Sequence, residues 1–116
     1  MVNASELLQT WVNAIKNGDP KQVTSLYHHD GILLGTFSAV ERVGHELILE
    51  YFENLLKNPV EVDVISEHPH DFESSAVNSG LYNFVTGGKT INARFSFVYD
   101  GDGKIISHHS SILPET

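Results

Sequence analysis

The chain has 116 residues and a formal charge of −8, from 15 acidic residues against 7 Lys plus Arg, and it contains no cysteine. That charge argues against nucleic acid and against an anionic membrane surface, both of which need clustered cations. The lack of cysteine removes disulfides, thiolate metal ligands and a Cys nucleophile.

The length predicts a single domain over residues 1–116, and 41% hydrophobic residues supply a small core. The first element is a helix, with Leu7, Leu8, Trp11, Ala14 and Ile15 on one face. Asn3 followed by Glu6 reads as its capping box, and Asn17-Gly18 as its stop. Asp19-Pro20 starts a second, short helix that buries Val23, Leu26 and Tyr27 and ends at His28-His29-Asp30-Gly31. Ile32-Leu33-Leu34 reads as a buried strand, and Gly35 to Val43 as a loop. A third helix carries the stripe Leu47, Ile48, Tyr51, Phe52, Leu55 and Leu56 and stops at Asn58-Pro59.

From Val60 onward the pattern is β. Val60, Val62 and Val64 alternate with acids, and Pro69 puts that strand at an edge or bulge. Ala76–Val85 and Thr90–Tyr99 flank the hairpin loop Gly87-Gly88, and Asp100 to Gly103 makes the next turn. The last strand is Lys104 to Leu113. Three helices before a run of antiparallel strands predict an α+β fold, with the N-terminal helices packed on a curved, mostly antiparallel sheet.

That last strand holds His108-His109-Ser110-Ser111. Alternation sends His109 and Ser111 to one face, His108 and Ser110 to the other. With two-residue hairpin loops, Arg94 falls opposite His109, Ser96 opposite Ser107 and Asn92 opposite Ser111. One face then reads as a polar pocket lining: Asn92, Arg94, Ser96, Ser107, His109 and Ser111, with Val77, Leu81, Val98 and Ile105 around them. The other is aromatic, with Tyr82, Phe84, Ile91, Phe95, Phe97, Ile106 and Ile112, and must be covered by helices or by a second copy. His28, His29, Asp30, His45, His68 and His70 suggest a metal, but no HExxH spacing is present. No Ser-His-Asp triad is expected either, because neighbouring His109 and Ser110 point apart.

Four segments carry a family resemblance: Gly31 to Thr36, Ala76 to Phe84, Ala93 to Tyr99, and His108-His109-Ser110-Ser111-Ile112-Leu113-Pro114-Glu115. The chain resembles the nuclear-transport-factor-2-like (NTF2-like, SnoaL-like) superfamily of cone-shaped domains. Within it, the resemblance is to the association domain of calcium/calmodulin-dependent protein kinase II. The closing segment is similar to the His-His-His-Ser-Ser and Met-Pro motif of iota-class carbonic anhydrases. Ser107 stands for the first His, Leu113 for Met, and Gly35 where Pro is common.

The resemblance implies reversible hydration of carbon dioxide to bicarbonate inside the cone. It places Thr36, Tyr51, His109 and Ser111 as catalytic residues, and the strand parity adds Arg94, Ser96 and Ser107 of the polar face as substrate-binding residues. It implies no metal cofactor, with zinc or manganese as the alternative, and a homodimer through the aromatic face. The competing reading is a non-catalytic ligand-binding or oligomerisation domain, favoured by Ser107. A polyketide cyclase or isomerase would need a carboxylate base, which the pocket strands lack; Asp30 or Glu50 could supply one from the helices. A soluble protein is expected, cytoplasmic if the chain is complete and organellar or periplasmic if a targeting segment was removed.

Overall fold

A computed structural model describes residues 2–115. Helix α1 spans Ala4–Asn17, and the Asn3 side chain accepts the Glu6 N–H at 3.0 Å as expected. Gly18 closes it in the left-handed region at φ 74°. Helix α2 is Pro20–Thr24, with Asp19 accepting from the Lys21 N–H. Helix α3 is His45–Leu55 and buries Ile48, Tyr51 and Phe52. None of these helices is long and apolar enough to cross a membrane.

The strands are β1 (Tyr27–Leu34), β2 (Arg42–Val43), β3 (Glu61–Asp71), β4 (Ser75–Thr86), β5 (Lys89–Asp100) and β6 (Ile105–Ile112). They form one sheet in the order β2-β1-β6-β5-β4-β3, in which β1 and β6 are parallel and the other pairs antiparallel. The predicted α+β layout is present. Pro69 sits on the edge strand β3, where a missing N–H is tolerated. Gly87 and Gly88 make the two-residue β4–β5 turn, both at positive φ.

Two local readings change. His28-His29-Asp30 is strand rather than helix end, because Tyr27 already pairs with Ile105. The β5–β6 register is shifted by two: Arg94 lies opposite Ser111, Ser96 opposite His109 and Val98 opposite Ser107. The turn is longer than two residues because Asp100 accepts from both the Asp102 and Lys104 N–H groups. A bulge after Tyr99↔Ile105 then buries Ile105 and leaves Ile106 exposed, the reverse of the expectation.

The core lies between the helices and one face of the sheet. Trp11 stacks on Tyr82 and meets the Phe97 edge, and Phe52 packs on Tyr27. The aromatic residues Tyr82, Phe84, Phe95 and Phe97 are therefore covered by the chain's own helices. A second bulge, in β3 between Val64 and Ser66, brings backbone against Gly80. A Cβ at Gly80 would run into the Ser66 carbonyl. Backbone cannot yield as a side chain can, so Gly80→Ala is expected to cost about 2 kcal/mol. The check is a lower urea midpoint with an unchanged slope.

Candidate functional site

The parallel pair β1–β6 builds the site. Leu34 pairs with His109, and beyond it β1 leaves the sheet as the loop 35–41. The end of β6 is thereby uncovered beneath the loop. A hollow of about 370 Å³ results, bordered by Leu34, Thr36, Val40, His109, Ser110 and Ile112 among others.

On the inner face of β6, a continuous hydrogen-bonded chain runs from the core to this hollow. Trp11 Nε1 donates to Tyr27 Oη at 3.1 Å. Tyr27 Oη lies 2.7 Å from His108 Nδ1, and His108 Nε2 lies 3.1 Å from Tyr82 Oη. Tyr82 donates to Ser110 Oγ at 2.6 Å, and Ser110 bonds Thr36 Oγ1 at 2.5 Å. Every member is buried except Thr36, which is half-buried. Among the described residues, the buried side-chain polar atom left without a partner is Tyr99 Oη, outside this chain.

Electrostatics keep the chain neutral. Burial, and secondarily the charge of neighbouring His109, push His108 down from 6.5 to about 3. Its ring stacks on Phe97 at 3.8 Å between centroids. Burial likewise raises Tyr27 and Tyr82 well above the usual phenol range. Tyr51 is pushed up to about 12 by burial, opposed by the Phe37 N–H and Arg42. No member of the chain ionises near neutral pH, so it orients and polarises rather than carrying charge.

The strand parity inferred from sequence is correct, but the choice of inward face is reversed. His109 and Ser111 share the outer face with Arg94, Ser96 and Ser107. His109 and Arg94 are exposed, and Ser96, Ser107 and Ser111 half-buried. The physical reason is the aromatic row: the helices cover it, which turns the polar row outward. His108 and Ser110 point inward instead. Of the four predicted catalytic residues, Thr36 joins the buried chain. Tyr51 reaches the same loop, accepting the Phe37 N–H at 3.4 Å with its ring against Gly35. His109 and Ser111 border the hollow from outside. With Ser79, Arg94 and Ser96 they also line a second depression, of about 390 Å³, on the outer face.

A model of the calcium/calmodulin dependent protein kinase II association domain matches residues 3–114. The chain belongs to that family. A structure from Xanthomonas campestris named for the same association domain is 38% identical, with a TM-score of 0.89 over 97% of this chain and 86% of that one. An NTF2-like protein of unknown function from Pseudomonas putida KT2440 gives a TM-score of 0.84 at 16% identity, over 97% and 85% of the two chains. A structure from Streptomyces avermitilis described as a candidate dehydratase of the NTF2-like family gives 0.77 at 16%, over 96% and 94%. The association domain thus has the NTF2-like α+β cone, a fold that also hosts enzymes. No curated protein matches the chain.

The association domain's interior does not suit a metal. It offers one imidazole with both nitrogens engaged, and hydroxyls otherwise, whereas zinc takes three or four His, Cys or carboxylate donors. Among the described residues, a set of three ligating side chains that come together is His28, His29 and Asp30, on β1. There His28 Nδ1 already accepts the Asp30 N–H.

Sequence reasoning missed Tyr27, Tyr82, His108 and Ser110 as site residues and placed Trp11 only on the apolar face of the first helix. The signal was available: Tyr82 lies in the aromatic row, and Trp11 on the α1 stripe that must face it.

Proposed function

We propose that the association domain hydrates carbon dioxide at the hollow beneath the loop 35–41. The observation that carries this reading is the buried chain ending in Thr36 Oγ1, a hydroxyl at the floor of a small hollow with apolar walls at Leu34, Val40 and Ile112. The resemblance of the closing strand to the carbonic anhydrase motif points to the same chemistry.

Carbon dioxide is apolar overall and carries two weak acceptor oxygens. The aliphatic walls hold it, and Thr36 bonds an oxygen that becomes negative as water attacks carbon. In the reaction a C–O bond forms, one C=O electron pair moves to oxygen, and the water's proton leaves. His108 is too strongly depressed to take that proton at neutral pH. His109, exposed at the rim of the same hollow, is assigned the transfer to solvent. Arg94, Ser96 and Ser107 are assigned no direct contact with substrate in this reading, since they lie on the outer face. The expected second copy, if the chain pairs, is assigned to that face, which the helices leave uncovered.

Thr36→Val removes the hydroxyl at constant shape. It is expected to lower kcat by roughly 10², while Thr36→Ser retains most activity. Stopped-flow hydration assays on chelator-treated protein make the comparison. Equal rates in the two variants would refute the role of Thr36.

The non-catalytic reading keeps one favouring observation: Trp11, Tyr27, Tyr82, Phe97 and His108 fill the cone interior, each at most 2% exposed. No hydration in the wild-type assay would establish it over the enzyme.

A further inference from the structure

Only one direction of donation satisfies the whole buried chain. Trp11 Nε1 can only donate, and it donates to Tyr27 Oη. The Tyr27 hydrogen then needs an acceptor, and among the described residues its partner is His108 Nδ1 at 2.7 Å. Nδ1 is therefore bare, and the single imidazole proton sits on Nε2, which donates to Tyr82 Oη. Tyr82 donates to Ser110, Ser110 to Thr36, and the Thr36 hydrogen is left for the hollow. Run in reverse, the chain would have Tyr27 accept from both Trp11 and Nδ1–H. Its own hydrogen would then face no acceptor at a fully buried position, a lost hydrogen bond with a real penalty.

We infer that Tyr27, remote from the hollow, is a positioning residue that holds His108 in the Nε2–H tautomer and so makes Thr36 an outward-facing donor. The hollow then offers a ligand a donor hydrogen, which suits one that presents an acceptor such as a carbonyl or carboxylate-type oxygen. This catalytic consequence rests on the proposed site, but the tautomer does not. A neutral ring is required, and burial keeps His108 neutral above about pH 3.

The test is long-range proton–nitrogen correlation NMR on protein labelled with nitrogen-15 in histidine, near pH 7. The wild type is expected to show His108 Nε2 protonated and Nδ1 unprotonated. In Tyr27→Phe the Nε2–H form keeps Tyr82 as its acceptor but Nδ1 loses its donor, so the Nδ1 shift is expected to move downfield as that hydrogen bond is lost. A protonated Nδ1 or a mixture in the wild type would overturn the inference. So would an Nδ1 shift in Tyr27→Phe unchanged from the wild type. If that variant fails to fold, the wild-type spectrum still decides. The spectrum is independent of turnover, so absent hydration activity would remove the proposed function and leave the tautomer assignment standing.

Discussion

Ser110→Ala is expected to lower carbon dioxide hydration by roughly 10-fold to 10²-fold, up to but not beyond the loss expected on removing the Thr36 donor itself. Ser110 links Tyr82 to Thr36. Without it the Thr36 hydroxyl loses its inner partner and turns freely, and the Tyr82 hydrogen is left unpaired in the core. The side chain is small, so the fold should survive with a loss of about 1–2 kcal/mol. His109→Ala is expected to behave differently. Its side chain is exposed, so stability should hold, and hydration should slow in weak buffer but recover when free imidazole carries the proton. The contrast is diagnostic: added imidazole should not rescue Ser110→Ala. Stopped-flow assays with and without imidazole, alongside thermal unfolding, separate the two effects.

Acidification is expected to remove stability through His108 before most carboxylates titrate. In the unfolded chain this imidazole has its ordinary value of 6.5, and in the folded chain about 3. Between those values the unfolded state binds the extra proton, so stability falls as pH falls. The contribution is complete above pH 6.5 and is lost progressively down to pH 3. Each unit in that window costs about 1.4 kcal/mol, or about 2 kcal/mol by pH 5. Denaturant unfolding at pH 7, 6 and 5 measures the slope. His108→Phe should flatten it over that range, whatever its own stability at pH 7. A variant slope equal to that of the wild type would show that His108 is not the titrating group.

Local signals carried the helices and the tight turn. Asn3, Gly18, Asp19-Pro20 and Gly87-Gly88 act on their own backbone neighbours, so their effects can be read within a few residues. The start of β1 was not legible for the opposite reason. His28-His29-Asp30-Gly31 has the composition of a helix end, and what holds it extended is its place between Tyr27 and Ile32, which pair in parallel with Ile105 and Ser107 of β6, some eighty residues away. The β5–β6 register missed by two because Asp100 caps a turn one residue longer through its side chain and the bulge beyond Ile105 adds the second residue. An even shift left parity intact, so the pairing of His108 with Ser110 and of His109 with Ser111 survived.

Parity, however, assigns residues to two faces and says nothing about which is inward. Hydroxyls, Arg94 and His109 resemble a pocket lining as much as a solvated face. The decision lies with Trp11, which takes its aromatic partners from β4 and β5, and with Tyr27 and Phe52, which pack on each other. Once those helices and β1 close on the aromatic row, His108 and Ser110 are buried with it, and the polar atoms that enter bond each other in sequence. Thr36 and Tyr51 could be placed by resemblance alone, since one opens an irregular loop and the other sits in an ordinary helical stripe.

The most direct measurement is stopped-flow hydration of carbon dioxide by the chelator-treated protein, with Ser110→Ala and His109→Ala run beside the wild type. The expected result is activity in the wild type, a loss of roughly 10-fold to 10²-fold in Ser110→Ala that imidazole does not restore, and imidazole-rescued activity in His109→Ala. An inactive wild type, or a Ser110→Ala variant as active as the wild type, would contradict it.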